Sequence, residues 1–147
     1  MIFVMLASSV FFSAFFAATI LPAQSEAVLS YAIITSPDSL LFWLWLAILG
    51  NVLGGCVNWC LGRYAARFQN RKWFPLSKSQ MARAQAYYHR FGKAALLLSW
   101  VPVIGDPITV IAGLFREKFY IFLILVTLAK AGRYLVLALL VTGFFTE

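Results

Sequence analysis

Two acids and two bases stand in stretches that are otherwise apolar: Glu26, Asp106, Lys130 and Arg133. A charge at mid-bilayer costs about 3 kcal/mol or more, so such groups pair with one another or face water. Carboxyls in that setting suit gating or proton coupling, the chemistry assigned to Glu26 and Asp106. Lys130 and Arg133 lie at i and i+3 on one helical face, far enough from either helix end that pairing is preferred to snorkelling. They can neutralise the acids in one state and hold a phosphate in another. Asn51 and Asn58 are seven residues apart, so both fall on one face. There they either bond a neighbouring helix or line a polar cavity.

Other reactive residue types read more quietly. Cys56 and Cys60 are four apart without a companion His or Cys, and are expected to be buried small hydrophobes, not metal ligands. His89, the single histidine, sits in a basic stretch and reads as a surface residue. No nucleophile–base set, phosphate loop or metal cluster stands out, so neither an enzyme nor a bound cofactor is expected. Intramembrane proteolysis by paired aspartates is set aside because Asp106 is the single Asp expected within the membrane.

The elements holding these residues must be membrane helices. Of 147 residues, 63% are hydrophobic and 12% charged, which no soluble domain of this size matches. One membrane domain, residues 1–147, is expected. Residues 2–20 are just long enough to span the hydrocarbon core. The start lacks a basic segment or clear cleavage site and reads as retained structure, not a signal peptide. Pro22 ends or breaks this run, and 27–34 is too short to cross alone. Ser36-Pro37-Asp38-Ser39 marks a turn, with Asp38 or Ser39 as N-cap for a transmembrane helix over 40–61. Trp43 and Trp45 near its entry read as interfacial anchors. Gly50 and Gly54 form a small-xxx-small pair that admits another backbone.

Eight of the twelve basic residues fall in 63–93, which holds no acid. The positive-inside rule makes this a cytoplasmic connector and removes the need for a nucleic-acid partner. Within it, 77–91 has an amphipathic helical pattern, either lying on anionic lipid or simply solvated. A second broken segment, 94–114, contains Pro102, Gly105, Asp106 and Pro107, where a smooth helix is not expected. Broken backbone at membrane depth survives only against protein or a water-filled cavity. Arg116-Glu117-Lys118 forms a charged turn before a last helix over 119–145.

The halves echo each other. In 1–62 and in 94–147, a proline-broken apolar segment bearing an acid precedes a helix bearing polar residues, on either side of the 63–93 connector. The preferred architecture is therefore all-α: two re-entrant helical hairpins and two full transmembrane helices in an inverted repeat. Full crossing of both broken segments would instead give four spans.

The ordered set Leu21-Pro22…Ser25-Glu26, Gly50-Asn51-x-Leu53-Gly54-Gly55-x-x-Asn58, Leu61-Gly62-Arg63, Ser99-Trp100-x-Pro102-x-x-Gly105-Asp106, Ala112-Gly113 and Lys130-x-x-Arg133-Tyr134 resembles the YqaA-like branch of the DedA family. That is the bacterial part of the SNARE-associated or VTT superfamily. The resemblance implies re-entrant hairpins and transport of a phosphorylated lipid, a polyprenyl phosphate or a phospholipid, across the inner membrane. Glu26 matches the family's first-hairpin acid. A second acid of larger members would fall near Ala14 and is absent. Two arginines of larger members would fall at Ser99 and Gly105, with Arg63, Lys130 and Arg133 left to supply positive charge. Transport of a small ion or solute, and a purely structural assembly role, are the alternatives. The expected partners are membrane lipids and a second copy of the chain.

Overall fold

The computed structural model describes residues 1–18, 22–68, 70–71, 77–101 and 105–145. Pro102 and the basic Lys72 lie outside them. Every regular element among the described residues is helical: α1 (Ile2–Ala17), α2 (Pro22–Thr35), α3 (Leu40–Ala65), α4 (Lys78–Leu97), α5 (Gly105–Leu114) and α6 (Phe119–Phe145). Short 3-10 turns precede α3, follow it and follow α4.

Helices α3 and α6 are the two long and apolar enough to cross a membrane. Their 26 and 27 residues rise roughly 40 Å, more than the hydrocarbon core needs. The others are shorter: 16 residues in α1, 14 in α2 and 10 in α5, or about 24, 21 and 15 Å. In α1, Ser8, Ser9 and Ser13 turn their hydroxyls onto backbone carbonyls of the preceding turn, at 2.7, 2.8 and 3.1 Å. An apolar helix can thus carry serines without an outside partner.

The chain breaks where expected, between α1 and α2 and between α4 and α5, and the prolines stand at the start of the following helix. Pro22 is the first residue of α2 and Pro107 the third of α5. Both lie in a first turn, where the missing N–H is no loss. Hence 22–35 is one helix carrying Glu26, and no separate apolar piece begins at 27. The helix read over 77–91 also continues to Leu97, into the segment assigned to the second half. Nothing in Lys93-Ala94-Ala95-Leu96-Leu97 stops a helix; only the charge pattern ends there.

Trp43 is a core residue, correcting its reading as an interfacial anchor. It is fully buried, its indole N–H donating to the Ser36 carbonyl at 3.2 Å. Phe3 and Phe42 pack on its ring at 4.9 and 5.2 Å. Trp45 faces outward, as an anchor should.

Two cores flank the long helices. One joins α1, α2, α3 and α6 through Val10, Leu29, Ile33, Trp43 and Ala138; the other joins α4, α5 and α6 through Leu96, Ala112, Phe122 and Val126. Glycines let α3 approach its neighbours closely. A side chain at Gly50 or Gly54 would strike the carbonyl of Phe11 or Phe15 on α1. One at Gly62 would strike Val110 O on α5, and one at Gly113 would strike Trp59 O on α3. Helix α5 ends in a Schellman motif: Arg116 N–H bonds Gly113 O at 3.0 Å and Glu117 N–H bonds Ala112 O at 2.9 Å. Arg116 takes the left-handed position at φ 59° that glycine usually fills.

Candidate functional site

Helix α6 brings the four charged residues together. One turn of it separates Lys130 from Arg133, so the two side chains leave neighbouring positions towards different partners. Arg133 reaches α2, where Nε and Nη2 both donate to Glu26 Oε1 at 2.9 and 2.5 Å. Lys130 reaches α5, where Nζ lies 3.4 Å from Asp106 Oδ1. The acid of each short helix is thus tied to the same long helix, one turn apart.

The two pairs differ in their access to water. The Lys130 side chain is 2% exposed and that of Asp106 21%. The Arg133 and Glu26 side chains are 10% and 35% exposed. Asp106 sits in the first turn of α5, where the helix dipole favours a negative charge. A buried ammonium needs several acceptors, and Lys130 finds its second in Asn51 Oδ1 on α3.

From Asn51 the polar contacts continue. Its amide donates to Tyr134 Oη at 2.8 Å, and Tyr134 lies 3.3 Å from Ser25 Oγ, the residue beside Glu26. A continuous chain therefore runs from Asp106 through Lys130, Asn51 and Tyr134 to Ser25. Asn58 lies outside it. Its amide donates to the Ala18 carbonyl at 2.7 Å and to Thr109 Oγ1 at 3.2 Å, tying the end of α1 to α5 across α3. Thr109 in turn donates to Asp106 O at 2.6 Å.

Arg63 does not join this cluster. It is exposed, twelve residues along α3 from Asn51, and its guanidinium lies 5.2 Å from the Trp59 ring centre. Gly105 opens α5 against the Ser99 backbone, where a side chain would not fit. Ser99 is buried, and among the described residues its hydroxyl has no hydrogen-bond partner. Pro107 is exposed. Tyr134, Ser25 and Thr109 were not singled out as site residues. The available signal was adjacency: each hydroxyl lies within three positions of a charged residue inside an apolar stretch.

Beside the Glu26–Arg133 pair lies a cleft of about 220 Å³, lined also by Trp100, Val136, Leu137 and Leu140. One end is ionic and the rest apolar. No group of three or more metal-ligating side chains occurs among the described residues.

The VTT domain family matches residues 1–143. The inner membrane protein YqaA of Escherichia coli strain K12 is 36% identical over 132 residues, covering 88% of this chain and 87% of that protein. The inner membrane protein YqaA of Shigella flexneri gives the same figures. An uncharacterized protein of Haemophilus influenzae is 34% identical over 143 residues, covering 91% and 86%. No solved structure matches. The names of the first two relatives give a membrane location and no reaction.

Proposed function

We propose, from the premise that the chain belongs to the VTT-domain (DedA) family of membrane proteins, that it carries a phosphorylated lipid across the bacterial inner membrane. The observation that carries this reading is the cleft beside Glu26 and Arg133. A lipid phosphate needs a cation and its tails need hydrocarbon, and the cleft offers Arg133 at one end and Trp100, Val136 and Leu137 beyond it. Phosphate competes with Glu26 for the guanidinium. Protonation of Glu26 weakens its hold, freeing Arg133 to bind. Lys130 with Asp106 forms the second, drier station on the same helix.

Re-entry of the short helices fits their lengths. At about 24 Å or less, α1, α2 and α5 each fall short of a hydrocarbon core of roughly 30 Å. In this reading the halves are inverted, 63–93 is cytoplasmic, and a second copy helps to enclose the pathway.

Glu26→Gln and Asp106→Asn should each insert normally and lose at least tenfold in the rate of lipid translocation, measured with labelled phospholipid or polyprenyl phosphate in reconstituted vesicles. Undiminished transport by both amides would overturn the mechanism. Uptake of ions without lipid would favour the solute-transporter reading.

Topology is tested separately. A reporter fused after Glu147 and active only outside the cell should be active, because with 63–93 cytoplasmic a single later crossing by α6 puts the C-terminus outside. Activity of a cytoplasm-only reporter would mean that 94–114 crosses as well as α6, giving the four-span arrangement, and would remove the inverted one.

A further inference from the structure

Helix α4 buries one side and leaves the other open. Tyr88 and Leu96 face the protein, and Tyr88 Oη lies 3.3 Å from Glu117 Oε2 at the α5–α6 turn. Burial and then the Glu117 carboxylate push the Tyr88 phenol pKa upward, so it stays a hydrogen-bond donor. The outward face carries Arg83, Tyr87, Arg90, Phe91 and Ala94, all exposed and spaced to share one side of the helix. Lys93 is exposed at its margin. Tyr87 and Phe91, 67% and 57% exposed, lie one turn apart on this face. Arg90 lies 5.8 Å from the Phe91 ring centre. A cleft of about 360 Å³ at this level is lined by His89, Arg90, Lys93 and the outer edge of Glu117, among others. Glu117 accepts from Tyr88 Oη and the Lys118 N–H, and its single negative charge against Arg83, Arg90 and Lys93 leaves the face net positive.

We propose that this face docks on anionic lipid, with phosphates of the bilayer surface seated on Arg83, Arg90 and Lys93 and the Tyr87 and Phe91 rings lowered among the upper acyl chains. The argument is charge complementarity together with amphipathic side chains at interfacial spacing. It is independent of what the protein transports, requiring only that α3 and α6 hold α4 near a membrane surface. The length of α6 and the α4–α6 packing through Leu96, Phe122 and Val126 supply that tether.

The test uses the full chain in nanodiscs, with an environment-sensitive dye on Ala94→Cys in a background where Cys56 and Cys60 are alanine. Adding phosphatidylglycerol to phosphatidylcholine should shift the dye emission to the blue and shield it from an aqueous quencher. Raising salt from about 0.1 to about 1 M, which shortens screening from about 10 to about 3 Å, should reverse both. Replacing Arg83, Arg90 and Lys93 by glutamine should lower the docked-to-undocked ratio about a hundredfold, at roughly fivefold per cation near an anionic surface. Lysine at Arg83 and Arg90 should retain docking. Equal shielding in both lipids would overturn the proposal. So would shielding that disappears when each disc holds a single copy, or that inorganic phosphate at low concentration abolishes.

Discussion

Lys130→Met should cost about 3 kcal/mol of stability and remove transport. The side chain holds Asp106 and Asn51 together at a place water scarcely reaches. Taking one partner from a buried pair strands the other, a loss of about 3–5 kcal/mol. The 21% exposure of Asp106 keeps this case near the lower end. Asn51 Oδ1 also loses its donor, at about 1 kcal/mol or more. Adding Asp106→Leu removes the stranded acid, so the double variant should regain most of the melting temperature but no transport. Thermal unfolding in detergent and translocation in vesicles separate the two effects. A Lys130→Met protein that melts with the wild type would show that the pair contributes nothing to the fold. Arg133→Met should be milder in stability, because Glu26 is more than a third exposed and water can solvate it. Its effect should fall on transport.

Gly62→Val or Gly113→Val should prevent α5 from seating on α3. Overpacking a core usually costs about 1–3 kcal/mol because side chains give way. Here the obstruction is backbone on both sides: Val110 O faces Gly62 and Trp59 O faces Gly113. No rotamer change relieves it, so helices must part, and a loss above about 3 kcal/mol is expected. Parting them also pulls Thr109 from Asn58 and Asp106 from Lys130. Gly132→Ala and Gly143→Ala meet nothing within 4 Å and serve as controls, with changes below about 1 kcal/mol. The measurement is the yield and melting temperature of membrane-extracted protein. Normal melting of both valine variants would mean that the helices do not touch as described.

The long helices were legible because hydrophobic length alone defines them: the last was read as 119–145 and forms Phe119–Phe145. That Lys130 and Arg133 share a face followed from helical spacing. Which acid each takes did not, because that depends on the rotation of α6 against α2 and α5. The pairs are Lys130 with Asp106 and Arg133 with Glu26. Gly50 and Gly54 announced a close contact but not that α1 makes it. Trp43 misled because an aromatic near a helix start is ambiguous. Burial was decided by the loop, which folds the Ser36 carbonyl back onto the indole. The breaks at Pro22 and in 94–114 were legible, since α1 ends at Ala17 and α4 at Leu97; what spacing did not give is that each proline lies in the first turn of the helix that follows.

The α6 pairs have an electrical consequence. Glu26, Asp106, Lys130 and Arg133 sum to zero, and moving a proton within either pair leaves that sum unchanged. In the proposed transport cycle, an empty site would therefore change the side it faces without moving net charge. The membrane voltage, worth about 2.3 kcal/mol per elementary charge per 100 mV, has no grip on that step. On the proposed function it would act once a phosphate is aboard, with co-moving protons offsetting the phosphate's charge. The proton-to-lipid ratio of the proposed cycle would then set whether the voltage drives, opposes or ignores the loaded step.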